Sequence, residues 1–291
     1  MPRPPHFART PVAAAATLAC IYEATARKPG NVHPDAGFDD ATNYSHFVTS
    51  AVVIGPVLER ASECGVGRAV LDAVRATRES VGTNTNLGTL LLLAPLAAAP
   101  ADVPLQEGIC EVLDGLNAED TRLAYEAIRL SGAGGLGHTE QADVYADALP
   151  DMSLVEAMRQ AADRDLVARQ YTNGFADVFD GPAVWIADGL TRDWPLEGAI
   201  VHAHVNQLAL RGDSLVERKC GRQIAREASD RAAVVLQAGS PGDASYERSL
   251  TELDAWLRAD GHRRNPGTSA DFIAAGLFVL LREGRLDWQE W

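Results

Sequence analysis

The chain has 291 residues, with 26 Lys and Arg against 40 Asp and Glu, a formal charge of −14. That balance argues against non-specific contact with nucleic acid or an anionic membrane, while 46 % hydrophobic and 23 % charged residues are ordinary for a globular chain with a substantial core. Cys20, Cys64, Cys110 and Cys220 are scattered with no Cys-x-x-Cys pair, which suits a reducing compartment and gives no zinc signature.

The basic, Ala-rich N-terminus superficially resembles a secretion signal, but Glu23, Arg27 and Lys28 continue the same periodicity, so a soluble helix and a cytoplasmic location are expected. Thr10-Pro11 offers a capping residue and a first-turn proline, and the helix stops at Lys28-Pro29-Gly30. A polar loop with Asn31, His33, Asp35, Asp39 and Asp40 follows. Helices are then expected over about 41–61 and 66–81. Residues 90–99 are apolar all round, the signature of a buried helix, and too few to span a membrane, which takes ~20. Its first turn, Thr83, Asn84, Thr85 and Asn86 between Gly82 and Gly88, is polar and uncharged. There the free N–H groups and the helix dipole would favour an anion, or Thr83 or Asn84 would simply cap the helix.

Further helices are expected over 104–115, 118–130, a broken 153–179, 194–210, a short one within 213–222, 222–238, 245–259 and a last core helix from Thr268. Residues 131–144 carry four glycines but no preceding strand and no Gly-Lys-Ser, so they fail as a P-loop. His202 and His204 would point about 200° apart on a helix and cannot share a metal. Thr268 with Asp271 matches a capping box. No strand pattern, repeat or composition break is present. The expectation is an all-α fold, one compact multi-helix domain over residues 1–291 around the Leu-rich helix.

Four segments share a character: Glu23 with Lys28-Pro29-Gly30-Asn31-Val32; Gly82 to Gly88; Gly212-Asp213 leading to Arg218-Lys219-Cys220-Gly221; and Asn265-Pro266-Gly267-Thr268-Ser269-Ala270-Asp271. Each is a Gly- or Pro-marked polar corner at the end of an apolar helix, and such corners can meet at one end of a bundle. In order and approximate spacing the four resemble the triphosphoribosyl-dephospho-coenzyme A synthase family over nearly the whole chain.

The resemblance implies an enzyme that cleaves the N-glycosidic bond of ATP, releases adenine and attaches the triphosphoribosyl group to a ribose hydroxyl of 3′-dephospho-CoA, giving the 2′-(5″-triphosphoribosyl) product. On that reading Lys28, Thr83, Asn84, Thr85, Asn86, Arg218 and Lys219 are the ATP and phosphate ligands. Glu23, Asp40, Asp213 and Asp271 are the candidate catalytic carboxylates, by analogy with glycosidases. Asp213 and Asp271 could equally hold Mg²⁺ brought with ATP, and Asn84, Asn86 or His33 could serve the departing adenine. The chain departs from the family pattern at His33-Pro34, at the Ala-Gly-Gly-Leu-Gly run and at Cys220. These departures keep open a related transfer onto a tetrahydromethanopterin-pathway intermediate and, in another class, a non-catalytic nucleotide-binding scaffold.

Overall fold

The structure, a computed structural model, describes residues 9–37, 43–132 and 151–287. Asp39, Asp40 and most of the Gly-rich stretch lie outside the described residues. The chain runs through α1 (Val12–Thr25), α2 (Tyr44–Leu58), the single turn α3 (Ala61–Cys64), α4 (Val66–Val81), α5 (Leu87–Ala98), α6 (Leu105–Gly115), α7 (Ala118–Ser131) and α8 (Leu154–Arg159). It continues through α9 (Leu166–Asn173), α10 (Ala176–Phe179), α11 (Pro182–Thr191), α12 (Leu196–Arg211), α13 (Ser214–Cys220), α14 (Arg222–Gln237), α15 (Ala244–Arg258) and α16 (Gly267–Arg282). The fold is all-α: among the described residues the only β-type pairing is the isolated bridge of His33 with Ala36. No described helix is long and apolar enough to cross a membrane.

Helices α5 and α16 form the centre. Leu90, Leu92, Leu93, Ala94 and Leu96 of α5, and Phe272, Ile273 and Leu277 to Leu281 of α16, are fully or almost fully buried. The outer helices show the expected one-sided pattern; α4 buries Val66, Val70, Ala73, Val74 and Thr77 and turns Arg68 and Arg75 outward to pair with Asp72. A smaller cluster of Val205, Leu208, Val235, Tyr246, Leu253 and Leu257 joins α12, α14 and α15.

Several local expectations change. Thr10 does not cap α1: Pro11 stands at that position without a side-chain bond, and the Thr10 backbone instead joins Leu281 and Arg282 of α16. The broken helix over 153–179 is three pieces. Gly174 supplies a left-handed break (φ 66°), and Asp165 caps α9 by accepting from Val167 N and Ala168 N. Helix α11 is additional; Gly181-Pro182 starts it instead of ending a segment, with Pro at the first turn.

Pro95 sits inside α5 and has no N–H to give the carbonyl four residues earlier. That carbonyl, on Leu91, is buried, and the Tyr171 hydroxyl of α9 donates to it at 2.7 Å. The exception in one helix thus fixes the position of another. Tyr171→Phe should cost about 1–3 kcal/mol by orphaning a buried acceptor. Adding Pro95→Ala should recover much of that loss, because the restored N–H can serve Leu91. Thermal or urea unfolding of the double-mutant cycle measures the coupling.

Candidate active site at converging helix N-termini

The first turn of α16 is where the separated corners meet. The Pro266 carbonyl accepts from Asn31 Nδ2 at 3.2 Å, and Gly30, at φ 73°, lies so close that a Cβ would stand 3.0 Å from Pro266 Cδ and 2.8 Å from Leu257 Cβ. The Thr268 hydroxyl meets Ser214 Oγ at 3.1 Å and accepts from Leu215 N at 3.2 Å. One turn on, Asp271 Oδ1 accepts from Thr89 Oγ1 of α5 at 2.6 Å. Leu166 N of α9 donates to the same Ser214 hydroxyl at 3.3 Å. The N-termini of α5, α9, α13 and α16 therefore converge, each bringing orphan N–H groups and a positive dipole end.

Asp213 binds two of these ends together. Its Oδ1 accepts from Leu215 N and Val216 N, both at 3.0 Å, capping α13. Its Oδ2 accepts from Ser269 N at 2.7 Å and Ser269 Oγ at 2.9 Å, capping α16 from outside the helix. Burial pushes this carboxyl up, against the lowering effect of those donors. A carboxylate offers about four acceptor sites, and all four are used. Asp213 is thus an architectural cap; it has no lone pair left for a metal ion or for a substrate proton. The pairing of Asp213 and Asp271 as metal ligands does not fit this donor set, and the described residues contain no group of three His, Cys, Asp or Glu side chains suited to a metal. The local capping box also gives way: Thr268 lies inside α16 and Asp271 turns to Thr89.

Asp271 is held differently. Only Thr89 bonds to it, and its Oδ2 rests against Gly88, where a Cβ would collide with the carboxyl group. Burial first, then the nearby Glu23 and Asp213 charges, push its pKa up to about 8, against the Thr89 hydrogen bond. Glu23, in the last turns of α1, is raised by burial but drawn down by Lys28, whose ammonium stands 3.0 Å from Glu23 Oε1. The fully buried Lys28 also donates to the Glu23 and Ala26 carbonyls. Its three N–H bonds are spent, on the negative end of α1 and on Glu23. Lys28 is a counter-ion to Glu23 here, not a free phosphate ligand. His204 of α12 is on the far side of Lys28; burial and that ammonium lower its pKa to about 3, and the nearby Pro29 carbonyl does not complete a hydrogen bond. His202 faces away, to Tyr246 Oη at 3.2 Å.

The α5 corner is half pre-wired. Asn84 Oδ1 accepts from Leu87 N at 3.1 Å and Asn86 N at 3.3 Å, so Asn84 does cap. Asn86 Nδ2 donates to Thr77 Oγ1 at 3.3 Å. Thr85 Oγ1 pairs with Ser50 Oγ of α2 at 2.7 Å, and Thr83 is half-buried beside them. Cations come from α13. Arg218 is tied to Asp165 at 3.2 Å. Lys219 has no anionic partner among the described residues; partial burial and Arg218 lower its pKa, and Asp213 draws it upward. His33 stands apart, in the bridge with Ala36.

Sequence reasoning missed Thr89, Ser50, Ser269 and Asp165. Thr89 follows the Gly-rich corner by one residue and was within reach of the pattern; the other three act through tertiary contacts with no local signature.

Residues 9–290 match the family model CitG, described as ATP:dephospho-CoA triphosphoribosyl transferase. A crystal structure from Archaeoglobus fulgidus, provisionally designated a triphosphoribosyl-dephospho-coA synthase, is similar at 28 % identity and a TM-score of 0.64, over 81 % of this chain and 98 % of its own. No curated protein matches the sequence significantly. A match spanning almost every residue, in a fold that joins the four corners, places the chain in the ATP:dephospho-CoA triphosphoribosyl transferase family, and it is a transferase of that class.

Proposed function

We propose that Glu23 and Asp271 are the acid–base pair with which this transferase moves the 5-triphosphoribosyl group of ATP onto the 2′-hydroxyl of 3′-dephospho-CoA. The carrying observation is the contrast between two neighbouring, partly buried carboxyls: Glu23 has a lysine against it and Asp271 has none among the described residues. Environments that push two titrating groups apart assign the ionised and the protonated role. Glu23, paired with Lys28, takes the hydroxyl proton and faces the positive charge that develops at C1′. Asp271, protonated at neutral pH, gives its proton to a ring nitrogen of the departing adenine. The C1′–N9 bond breaks, the C1′–O2′ bond forms, and one proton passes from acceptor to base.

Lys219 and Arg218 are the proposed triphosphate cations, aided by the converging helix ends. The Asn84 amide group, whose oxygen is already used, is left to donate to the adenine. Thr83, Thr85 and Asn86 line the same corner; Asp40 is kept as a candidate carboxylate on sequence grounds. A divalent ion fits as part of the substrate, ATP carrying Mg²⁺ on its phosphates and waters.

Incubation with ATP, Mg²⁺ and dephospho-CoA should release adenine in step with loss of the acceptor, read by chromatography; release of ADP or AMP instead would sink this chemistry. Glu23→Gln and Asp271→Asn should each lower kcat by about 10²–10⁴-fold, the usual worth of a positioned acid or base, while Lys219→Ala should act chiefly on the KM for ATP.

The raised Asp271 pKa has a stability sign. Between its ordinary value of 3.8 and about 8, the native state holds a proton that the unfolded chain has lost, so stability falls as pH rises through that window and levels off above it. Asp271→Asn removes this slope. Relative to the parent it should gain on the order of 2 kcal/mol at pH 9 over pH 5, after discounting for screening, measured by urea unfolding at the two pH values.

A further inference from the structure

A cleft of about 570 Å³ opens between α6, α8 and α9, lined by Cys110, Leu113, Leu116, Arg159, Tyr171 and Thr172 among others. It is separate from the catalytic corner but connected to it by two helices. Leu166 N of α9 touches Ser214 at the corner, and Thr172, six residues on, lines the cleft, about 9 Å away at 1.5 Å rise per residue. In α5, Thr89 holds Asp271 and the Leu91 carbonyl holds Tyr171 of the cleft wall, a rise of about 3 Å.

The lining excludes a polyphosphate. Among the described residues the one cation of the lining, Arg159, shares it with two carboxylates, Asp114 and Glu156, and Glu156 is occupied in capping α8 through Ser153. What remains is a mixed surface: Leu113, Leu116 and Val155 for methyl groups, and Thr172 and Asp114 for amide and hydroxyl partners. Mixed apolar and polar linings of this size are the usual setting for a neutral organic ligand.

We propose that this cleft is the subsite for the pantetheine arm of the acceptor. The inference rests on dephospho-CoA being the acceptor. With the reacting ribose at the Glu23–Asp271 corner, the arm continues beyond the diphosphate, and it is neutral, amide-bearing and gem-dimethyl-branched. It places the thiol end towards the rim, where Cys110 is exposed. The cleft would then select the acceptor without touching the chemistry.

The test fills the cleft with Thr172→Trp and compares two acceptors, dephospho-CoA and ADP, which has the same ribose and diphosphate but no arm. The expected result is a KM for dephospho-CoA raised at least tenfold, with the KM for ATP and the rate with ADP within twofold of the parent. An unchanged KM for dephospho-CoA, or an equal loss with both acceptors, overturns the proposal. If the variant does not fold, alkylation of Cys110 in the parent protein decides. S-methylated dephospho-CoA, whose blocked thiol cannot consume the reagent, should slow it at least fivefold and ADP should not; no protection by S-methylated dephospho-CoA, or equal protection by both, overturns the subsite. Absence of adenine release from the parent with either acceptor would count against the transferase mechanism, whereas the alkylation result bears on the cleft alone.

Discussion

Everything at the active corner follows from helix N-termini brought together. Four helices aim their first turns at one place: Asp271 is bonded to the first turn of α5 by Thr89, Ser214 takes the N–H of Leu166 in α9, and Asp213 spans α13 and α16. Each end leaves backbone donors unsatisfied and carries roughly half a positive charge, so an interior junction of several such ends is unstable unless anions answer it. Asp213 answers two at once and Asp165 a third. A cap is worth about 1 kcal/mol where it serves one helix; a residue that serves two also sets the angle and distance between them. A second instance stands elsewhere in the fold, where Asp120 accepts from Gly67 N of α4 and Asn117 N at the start of α7. The chain uses one carboxylate across two helix starts as a construction device, and the acidic composition supplies the parts.

This device separates carboxylates committed to caps from those that are not. Occupancy decides: Asp213 has four donors and Asp271 has one neighbouring hydroxyl. The buried Lys28–Glu23 pair is not a reason for stability, since desolvation of both charges offsets their attraction. Its effect is on protonation, drawing the Glu23 pKa down against the burial that raises it, a counterweight that Asp271 lacks among the described residues. Gly88 then has a specific job. Without a side chain there, α5 approaches α16 closely enough for Thr89 to reach Asp271.

The parts legible in sequence were those coded locally. The all-apolar run at 90–99 identified the central helix, the Gly-to-Gly interval identified its polar start, and α4 appears with the boundaries its periodicity implies. The corners were legible as a set because each breaks its helix with Gly or Pro. Failures came where two local signals were identical and a distant residue chose between them. Thr268 and Asp271 have capping-box spacing, yet Thr89, 182 positions away, takes the Asp271 oxygen. The stretch between 179 and 194 carried no assigned helix, and burial of Ala183 and Ile186 against the core shows why α11 forms there. Lys28 and Lys219 look alike as phosphate cations; only the fold shows that the C-terminal carbonyls of α1 have claimed the first.

Charge poses the remaining question, because a protein of net charge −14 must hold a polyanionic nucleotide. Long-range attraction cannot do it; beyond a Debye length of about 8 Å at physiological salt the acidic surface is screened, so what counts is the local inventory. With Lys28 neutralised by Glu23, that inventory is the helix ends, Arg218 and Lys219. Arg218 shares its charge with Asp165, an arrangement that fixes the guanidinium's direction at the cost of part of its field. Lys219, exposed and without such a partner among the described residues, has its charge free for a ligand. A nucleotide's phosphates would complete an electrostatic arrangement that the folded chain leaves unbalanced, whereas the proton on Asp271 is held by burial and by the neighbouring Glu23 and Asp213 charges.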